Sequence, residues 1–135
     1  MEPAVVLAAH ALIRRGDRYL ITRRSKDNDF MPEKWDLPGG SVEGPETLEQ
    51  ALVREVKEET SLVVVPGQLV HAYADVASYP ARLTVQCVFL CEDPGEEITL
   101  APGEHDAYRW LRRQEMEELD VIPFVADLLR VRPFG

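Results

Sequence analysis

An apolar run near the start of the chain places the strongest constraint on the fold. Residues 5–13 are apolar at both alternating positions, with His10 as the single exception. A strand that faces water on one side alternates apolar and polar residues, whereas a strand covered on both sides reads as a continuous apolar run. The run therefore predicts a buried strand in a sheet that is flanked by helices.

The remaining sequence alternates between strand-like and helix-like segments. Gly44 and Pro45 suit the cap and first position of a helix, and residues 46–60 contain neither Gly nor Pro. The predicted order is a hairpin strand at 19–22, a long loop at 25–36, the helix at 46–60, strands at 62–65, 69–74, 81–90 and 108–111, and helices at 114–119 and 122–131. Residues 78–80 would join the strands that end at 74 and begin at 81. The pattern indicates a mixed α and β protein.

Length and charge restrict the domain organisation and the partners. The 135 residues are most simply one domain, residues 1–135, with room for a substantial core. There are 24 acidic and 15 basic residues, a net charge of −9, which argues against a nucleic-acid polymer or an anionic membrane as a partner. A small phosphorylated substrate remains compatible, because divalent cations can stand between carboxylates and phosphate oxygens.

The cysteine and histidine positions argue against disulfides and zinc. Cys87 and Cys91 lie too far apart along a strand for a disulfide, so we expect reduced core residues. His10, His71 and His105 are widely separated in sequence, which gives a zinc site little support. No apolar run reaches the length of a bilayer span and no secretory signal is recognisable, so we expect a cytoplasmic protein.

The predicted helix at 46–60 carries a cluster of carboxylates. Its core-facing stripe of Leu48, Ala51, Leu52 and Val56 is interrupted by Glu55, which points in the same direction. Residues 58 and 59, both Glu, follow three and four positions later on the same side of the helix. Clustered carboxylates repel one another, and hard divalent cations such as Mg²⁺ favour such oxygen ligands. The alternative is a solvated acidic helix face.

At this point the sequence resembles the Nudix hydrolase family. The family motif G-x(5)-E-x(7)-R-E-U-x-E-E-x-G-U is matched at Gly40, Glu46, Arg54-Glu55-Val56, Glu58-Glu59 and Leu62. The preceding residues 35–40 also resemble the usual approach to this motif. Ser61 departs from it, since it occupies the place of the second Gly. If that Gly serves a left-handed helix cap, Ser at this position costs about 1 kcal/mol.

The resemblance implies roles for individual residues. Glu55, Glu58, Glu59 and the carbonyl of Gly40 would bind Mg²⁺, with Mn²⁺ as a substitute. Arg54 and Glu46 would orient the carboxylates. Glu104, in a later loop, would add a metal ligand or the base that activates water, with Glu58 as the alternative base and a plain surface carboxylate as the alternative reading of Glu104. Substrate contacts are expected from Gly39 and from Arg23 or Arg24, of which at most one should face the substrate, because adjacent strand residues point to opposite faces.

The resemblance also implies the fold and the reaction. We expect an α/β/α sandwich with a mixed β-sheet. The expected reaction is Mg²⁺-dependent hydrolysis of a diphosphate linkage by water, in a nucleoside diphosphate joined to another group or in a nucleoside triphosphate, including oxidised ones. The alternative is a Nudix-like module that senses a nucleotide without turnover, although the carboxylates of the motif are intact here. Dimers are common in the family, so a homodimer is also considered.

Overall fold

The computed structural model describes residues 4–75 and 82–131 of the chain. In chain order the elements are β1 (Ala4–Arg15), β2 (Arg18–Arg24), β3 (Trp35–Asp36), β4 (Gly39–Ser41), α1 (Leu48–Thr60), β5 (Leu69–Asp75), β6 (Arg82–Glu92), β7 (His105–Leu111), α2 (Arg113–Met116) and α3 (Pro123–Val131).

The seven strands form one mixed sheet with β1 at its centre. The main path runs β3-β2-β1-β6-β5, while β4 pairs with β1 and β7 pairs with β2. The pairing of β1 with β6 is parallel, from Val5 opposite Leu83 to Arg14 opposite Glu92. The pairings of β1 with β2 and with β4 are antiparallel. The central strand and the mixed sheet are therefore confirmed. Burial on both faces holds for residues 8–13, whereas Val5 and Leu7 are 62% and 41% exposed, so the expectation for the start of the run was wrong.

Helices cover both faces of the sheet and create two core clusters. Leu12 of β1 belongs to a cluster with Phe124, Val125 and Leu128 of α3. Its chain neighbours Ala11 and Ile13 belong to a second cluster, which contains buried residues of α1. Because successive strand residues point to opposite faces, α1 and α3 lie on opposite sides of β1. This arrangement explains why residues 8–13 are apolar at every position but one.

The start of α1 differs from the sequence prediction. The helix begins at Leu48, and the residue before it, Thr47, is the N-cap: its hydroxyl accepts from the Gln50 backbone N–H at 3.1 Å. The Gln50 side chain returns the contact to the Thr47 backbone N–H at 2.9 Å. This capping box satisfies two helix-end donors. The prediction of Gly44 and Pro45 as cap and first position was therefore wrong.

Two further segments differ from the sequence prediction. Residues 62–65 form no strand: Leu62 and Val64 are buried and Val63 and Val65 exposed, but the Val63 N–H donates to the Glu96 carboxylate instead of to a neighbouring strand. The side chains of this segment therefore alternate between buried and exposed positions although the segment is not a β-strand. The predicted helix at 114–119 is reduced to the single turn of α2, while the helix predicted at 122–131 is present as α3.

The cysteine prediction is confirmed, because Cys87 and Cys91 are free and buried. The predicted connection through residues 78–80 lies outside the described residues. Among the helices in the described part of the chain, none combines the length and apolar character that a membrane span requires.

Candidate active site

Gly39 and Gly40 of β4, here called the glycine turn, lie against α1 at the centre of the candidate site. In β4, Gly39 and Gly40 pair with His10 and Ala9 of the central strand. A Cβ on Gly39 would lie 2.2 Å from the Ala9 carbonyl oxygen, and its φ of 149° also disfavours other residues. A Cβ on Gly40 would lie 2.6 Å from an oxygen of the Glu55 carboxylate. Position 39 therefore requires glycine, whereas a Cβ at position 40 would displace the Glu55 carboxylate.

Glu59 places a buried carboxylate directly against this turn. The residue is 8% exposed, and its Oε2 accepts from the Gly39 backbone N–H at 2.8 Å. The pKa of Glu59 is raised to about 9, mainly by burial; the Gly39 N–H lowers it, and the nearby charges of Asp36, Glu55 and Glu104 contribute to the rise. The position thus concentrates negative charge that the protein compensates only in part.

Glu55 and Glu58 continue the carboxylate row on α1 with different exposure. The Glu55 side chain is 17% exposed, in contact with the Gly40 backbone, and burial is the main cause that raises its pKa. The Glu58 side chain is 59% exposed and contacts Arg54 at 3.4 Å. The row therefore runs from a buried to a solvent-facing carboxylate, as the helical spacing predicts.

Arg54 holds these carboxylates and the turn together. Its Nε and Nη2 donate to the two oxygens of Glu46 at 2.6 and 2.9 Å, a forked pair of charge-assisted hydrogen bonds. Its Nη1 donates to Glu55 at 2.9 Å, and Nη2 also reaches the Ser41 carbonyl at 3.1 Å. The Arg54 guanidinium lowers the pKa of Glu46 to about 2. Arg54 therefore lies between Glu46, Glu55 and the backbone of β4.

The donor atoms of the site suit a hard divalent cation. Within the described residues, no three His, Cys, Asp or Glu side chains converge as a ready-made metal site, since Arg54 and the Gly39 N–H occupy carboxylate oxygens. The available ligands are nevertheless oxygens of the kind that Mg²⁺ prefers. The pKa values of Glu55 and Glu59 are raised because burial disfavours their charged forms, and a bound cation would stabilise those charged forms. The residue set therefore fits the implied metal.

The loop before β7 brings Glu104 toward the same region. The Ala101 N–H donates to the Glu59 carbonyl at 2.9 Å, which ties the loop to the end of α1. The Glu104 carbonyl accepts from the Ser25 N–H at 2.9 Å, and its exposed side chain contributes to the raised pKa of Glu59. Glu104 is thus near enough to Glu59 for their charges to interact.

The side chains of Arg23 and Arg24 differ in their exposure and in their hydrogen bonds. The Arg23 side chain is 39% exposed, and its Nε donates to Asp106 at 2.8 Å. The Arg24 side chain is only 18% exposed, and all three of its guanidinium nitrogens donate to protein oxygens. The structure therefore leaves Arg23 as the more accessible of the two predicted phosphate contacts.

Sequence reasoning missed three buried polar residues near the turn. Asp36 is 3% exposed, and its Oδ1 accepts from the Leu37 N–H at 2.7 Å. His10 is also buried, with Nδ1 3.3 Å from the Leu37 carbonyl and Nε2 2.6 Å from Gln86 Oε1. Among the described residues, neither ring nitrogen of buried His105 has a hydrogen-bond partner, and burial lowers its pKa. A polar residue inside an apolar stretch was the available signal for His10.

His10, which pairs with Gly39, also contacts two residues that line a recess in the protein. The cavity volume of this recess is about 90 Å³, and its lining includes Phe30, Met31, Tyr73, Gln86 and Phe124. The His10 ring stacks on Phe124 with centroids 4.3 Å apart and contacts Gln86. The recess is largely apolar and aromatic with a few polar groups, which is the usual composition of a pocket for a small organic ligand.

Comparisons with known proteins agree with this geometry. The family model for the NUDIX domain matches residues 5–130. The nucleoside triphosphatase NudI of Klebsiella pneumoniae (strain 342) is 28% identical over 119 residues, which cover 82% of this chain and 84% of that protein. An ADP-ribose pyrophosphatase of Methanocaldococcus jannaschii is 36% identical over 107 residues, which cover 79% of this chain but only 61% of that protein.

A solved structure extends the agreement to the whole fold. The crystal structure of a MutT protein from Methanosarcina mazei Go1 matches with a TM-score of 0.84 and 28% identity, over 96% of this chain and 94% of that one. The sheet order, the carboxylate-bearing helix and the family match all point the same way. The chain therefore belongs to the NUDIX domain family, as its motif predicts, and it is an enzyme of the Nudix pyrophosphatase class.

Proposed function

We propose that the protein hydrolyses the pyrophosphate linkage of a nucleotide, either a nucleoside triphosphate or a nucleoside diphosphate joined to another group. One observation carries the proposal: the carboxylate of Glu59 is buried against the Gly39–Gly40 turn, with Glu55 beside it and Arg54 bracing the helix. Burying negative charge in this way is costly unless a cation is to be bound. The arrangement therefore supports a metal-dependent reaction at a phosphate group.

The proposed cofactor is Mg²⁺, with Mn²⁺ as a substitute, held by Glu55, Glu58, Glu59 and the Gly40 carbonyl. When bound, the ion would neutralise phosphate oxygens that otherwise repel an attacking water. Arg54 keeps Glu55 oriented toward the turn, and Glu46 in turn keeps the Arg54 guanidinium in place. These two residues are proposed to support the carboxylates without contact to the reacting phosphate.

Two carboxylates are candidates for the base that accepts the proton of water. Glu104 lies on an exposed loop that is tied to the end of α1, and Glu58 is the most exposed carboxylate of the row. Both can reach solvent, which a general base for water requires. The Glu104→Gln variant distinguishes them, because loss of the base lowers kcat far more than it raises KM, whereas Glu58 is also a proposed metal ligand and its replacement affects both roles.

The nucleotide preference is supported by the recess and by the names of the relatives. A nucleoside triphosphatase and an ADP-ribose pyrophosphatase are among the similar proteins. The aromatic lining of the recess next to the turn suits contact with a nucleoside while the phosphates extend toward Glu59. Arg23, with its partly exposed guanidinium, is the proposed phosphate contact, and Gly39 is proposed to line the substrate cleft.

The test is a substrate panel with Mg²⁺, containing nucleoside triphosphates and their oxidised forms, ADP-ribose, dinucleotides and nucleotide sugars. We expect hydrolysis of one class, and a loss of about 100-fold or more in Glu55→Gln and Glu59→Gln. Glu49→Gln is the matched control, because Glu49 is exposed in the first turn of the same helix. Tight nucleotide binding without turnover would favour the sensing module instead.

The remaining expectations from the sequence stay predictions. A cytoplasmic location agrees with the two free cysteines, since such thiols are typical of reducing compartments. Restriction to small nucleotide substrates agrees with the net charge of −9. A homodimer would be tested by the mass of the protein in solution.

A further inference from the structure

The Arg24 side chain is the centre of a hydrogen-bond network in the loop between β2 and β3. Its Nε donates to the Phe30 carbonyl at 2.8 Å, its Nη2 to Asn28 Oδ1 at 2.9 Å and its Nη1 to Asp36 Oδ2 at 3.2 Å. Its backbone N–H also donates to the Lys34 carbonyl at 2.9 Å. A planar guanidinium presents donors in several fixed directions, so one residue can fix several parts of a loop at once.

The loop that Arg24 holds forms one wall of the recess. Phe30 and Met31 line the recess, and Phe30 is 38% exposed. Met31 has a φ of 48° and Glu33 a φ of 64°, conformations that residues other than glycine seldom adopt. Such a backbone persists only where surrounding contacts hold it. The three hydrogen bonds of the Arg24 guanidinium supply contacts of this kind inside the loop.

The other end of the network reaches the glycine turn. Asp36 accepts from Arg24 through Oδ2 and from the Leu37 N–H through Oδ1. Two residues further along the chain, the Gly39 N–H donates to Glu59. Arg24 and Asp36 are both largely buried, with side chains 18% and 5% exposed. The pair therefore joins the wall of the recess to the glycine turn, whose Gly39 N–H contacts the Glu59 carboxylate of α1.

We propose that Arg24 is a positioning residue that sets substrate specificity by holding the Phe30–Met31 wall of the recess against the glycine turn. It acts through the loop and not through contact with phosphate, because its guanidinium donors are directed at protein oxygens. The inference rests on the proposed function in one respect, namely that the recess holds the nucleoside. Loss of Arg24 should then weaken nucleotide binding and leave the chemical step nearly intact.

The test compares Arg24→Lys with Asn28→Ala and with a control. Lysine retains the positive charge beside Asp36 but cannot reproduce the fork. Asn28→Ala removes the acceptor of Nη2 and of the Phe30 N–H, and leaves the buried ion pair in place. Lys34→Ala is the control, because Lys34 lies in the same loop as Asn28 and its side chain makes an exposed ion pair with Asp120, outside the loop.

We expect KM for the nucleotide that the wild type hydrolyses to rise about tenfold or more in Arg24→Lys and by a smaller factor in Asn28→Ala, with kcat within about threefold. Amide hydrogen exchange at residues 28–34 should accelerate in both variants while α1 stays protected. The control should match the wild type in both measurements. A fall in kcat at unchanged KM would mean direct action on the reacting phosphates and would overturn the inference, as would unchanged exchange in the loop.

Failure of the proposed function has a different signature. If the wild type hydrolyses no member of the panel, the affinity of a nucleoside monophosphate is measured by calorimetry in place of KM. Weaker binding in Arg24→Lys together with faster loop exchange supports the positioning role without any turnover. Equal affinity in wild type and variant refutes it.

Discussion

Replacing Glu59 by Gln should stabilise the protein in the absence of divalent cations, even though it should abolish activity. The pKa of Glu59 is raised from 4.5 to about 9 in the folded protein, because the carboxyl is buried. Between these values the unfolded chain binds fewer protons at this residue than the folded chain does. Stability therefore falls as pH rises through this window, by about 1.4 kcal/mol per pH unit. At pH 7, 2.5 units above the ordinary pKa, the cost reaches about 3 kcal/mol.

Glutamine has nearly the same volume, can still accept from the Gly39 N–H, and does not ionise. The free energy of unfolding is measured by urea denaturation in EDTA at pH 5 and pH 7, for the wild type and Glu59→Gln. The stability difference in favour of Gln should grow by about 3 kcal/mol between the two pH values. Comparing the two pH values removes any constant effect of the substitution.

The same experiment in Mg²⁺ links stability to function. A bound ion favours the charged form of Glu59 and should raise the stability of the wild type, as any ligand of the folded state does. The variant should gain much less. Parallel stability profiles for the two proteins across pH in EDTA would refute the reasoning, because they would mean that Glu59 titrates normally in the folded protein.

Two further predictions concern backbone geometry. Ser61 ends α1 with a φ of 69°, so Ser61→Gly should be more stable than Ser61→Ala by about 1 kcal/mol in urea denaturation, since both variants lose the 3.3 Å hydroxyl contact with the Thr99 carbonyl and only alanine keeps a Cβ. Equal stability would contradict this. Gly40→Ala should lower kcat by about 100-fold with little loss of folding stability, because its Cβ would displace the Glu55 carboxylate. Normal turnover in that variant would count against Glu55.

The sequence was most informative where one residue pattern implied one local geometry. The continuous apolar run of β1 predicted the burial on both faces that residues 8–13 show, and the spacing of Glu55, Glu58 and Glu59 predicted one row on α1. A left-handed cap at residue 61 was considered only as a condition, and the φ of Ser61 is 69°. These features depend on helix and strand periodicity, which neighbouring residues determine.

The sequence predictions were wrong where several local signals compete, or where tertiary contacts determine the secondary structure. Gly44 and Pro45 resembled a helix start, but the reciprocal hydrogen bonds of Thr47 and Gln50 satisfy the helix end three residues later. Residues 62–65 are β-branched and alternate in burial, yet strand formation also needs a partner ladder, which a short segment cannot reveal. The local sequence could indicate burial there, but not pairing.

The partners of the site residues were the least predictable part. Arg24 was considered a phosphate contact because it follows a strand, whereas its hydrogen bonds join residues 28, 30 and 36 through the fold. Likewise, the loop of Glu104 meets α1 through contacts between segments more than 40 residues apart. Periodicity carries no information on such long-range contacts.

The central strand has a consequence for the interpretation of variants. β1 carries none of the proposed catalytic groups, yet it borders β2 with Arg23 and Arg24, β4 with its two glycines and β6 with Gln86. The register of β1 with these strands therefore sets the relative positions of the phosphate contacts, the glycine turn and the recess. A slip of one position would reverse its side chains and misalign all three together. An inactive variant in this strand would thus report lost alignment of the whole site, although no chemical group had been removed.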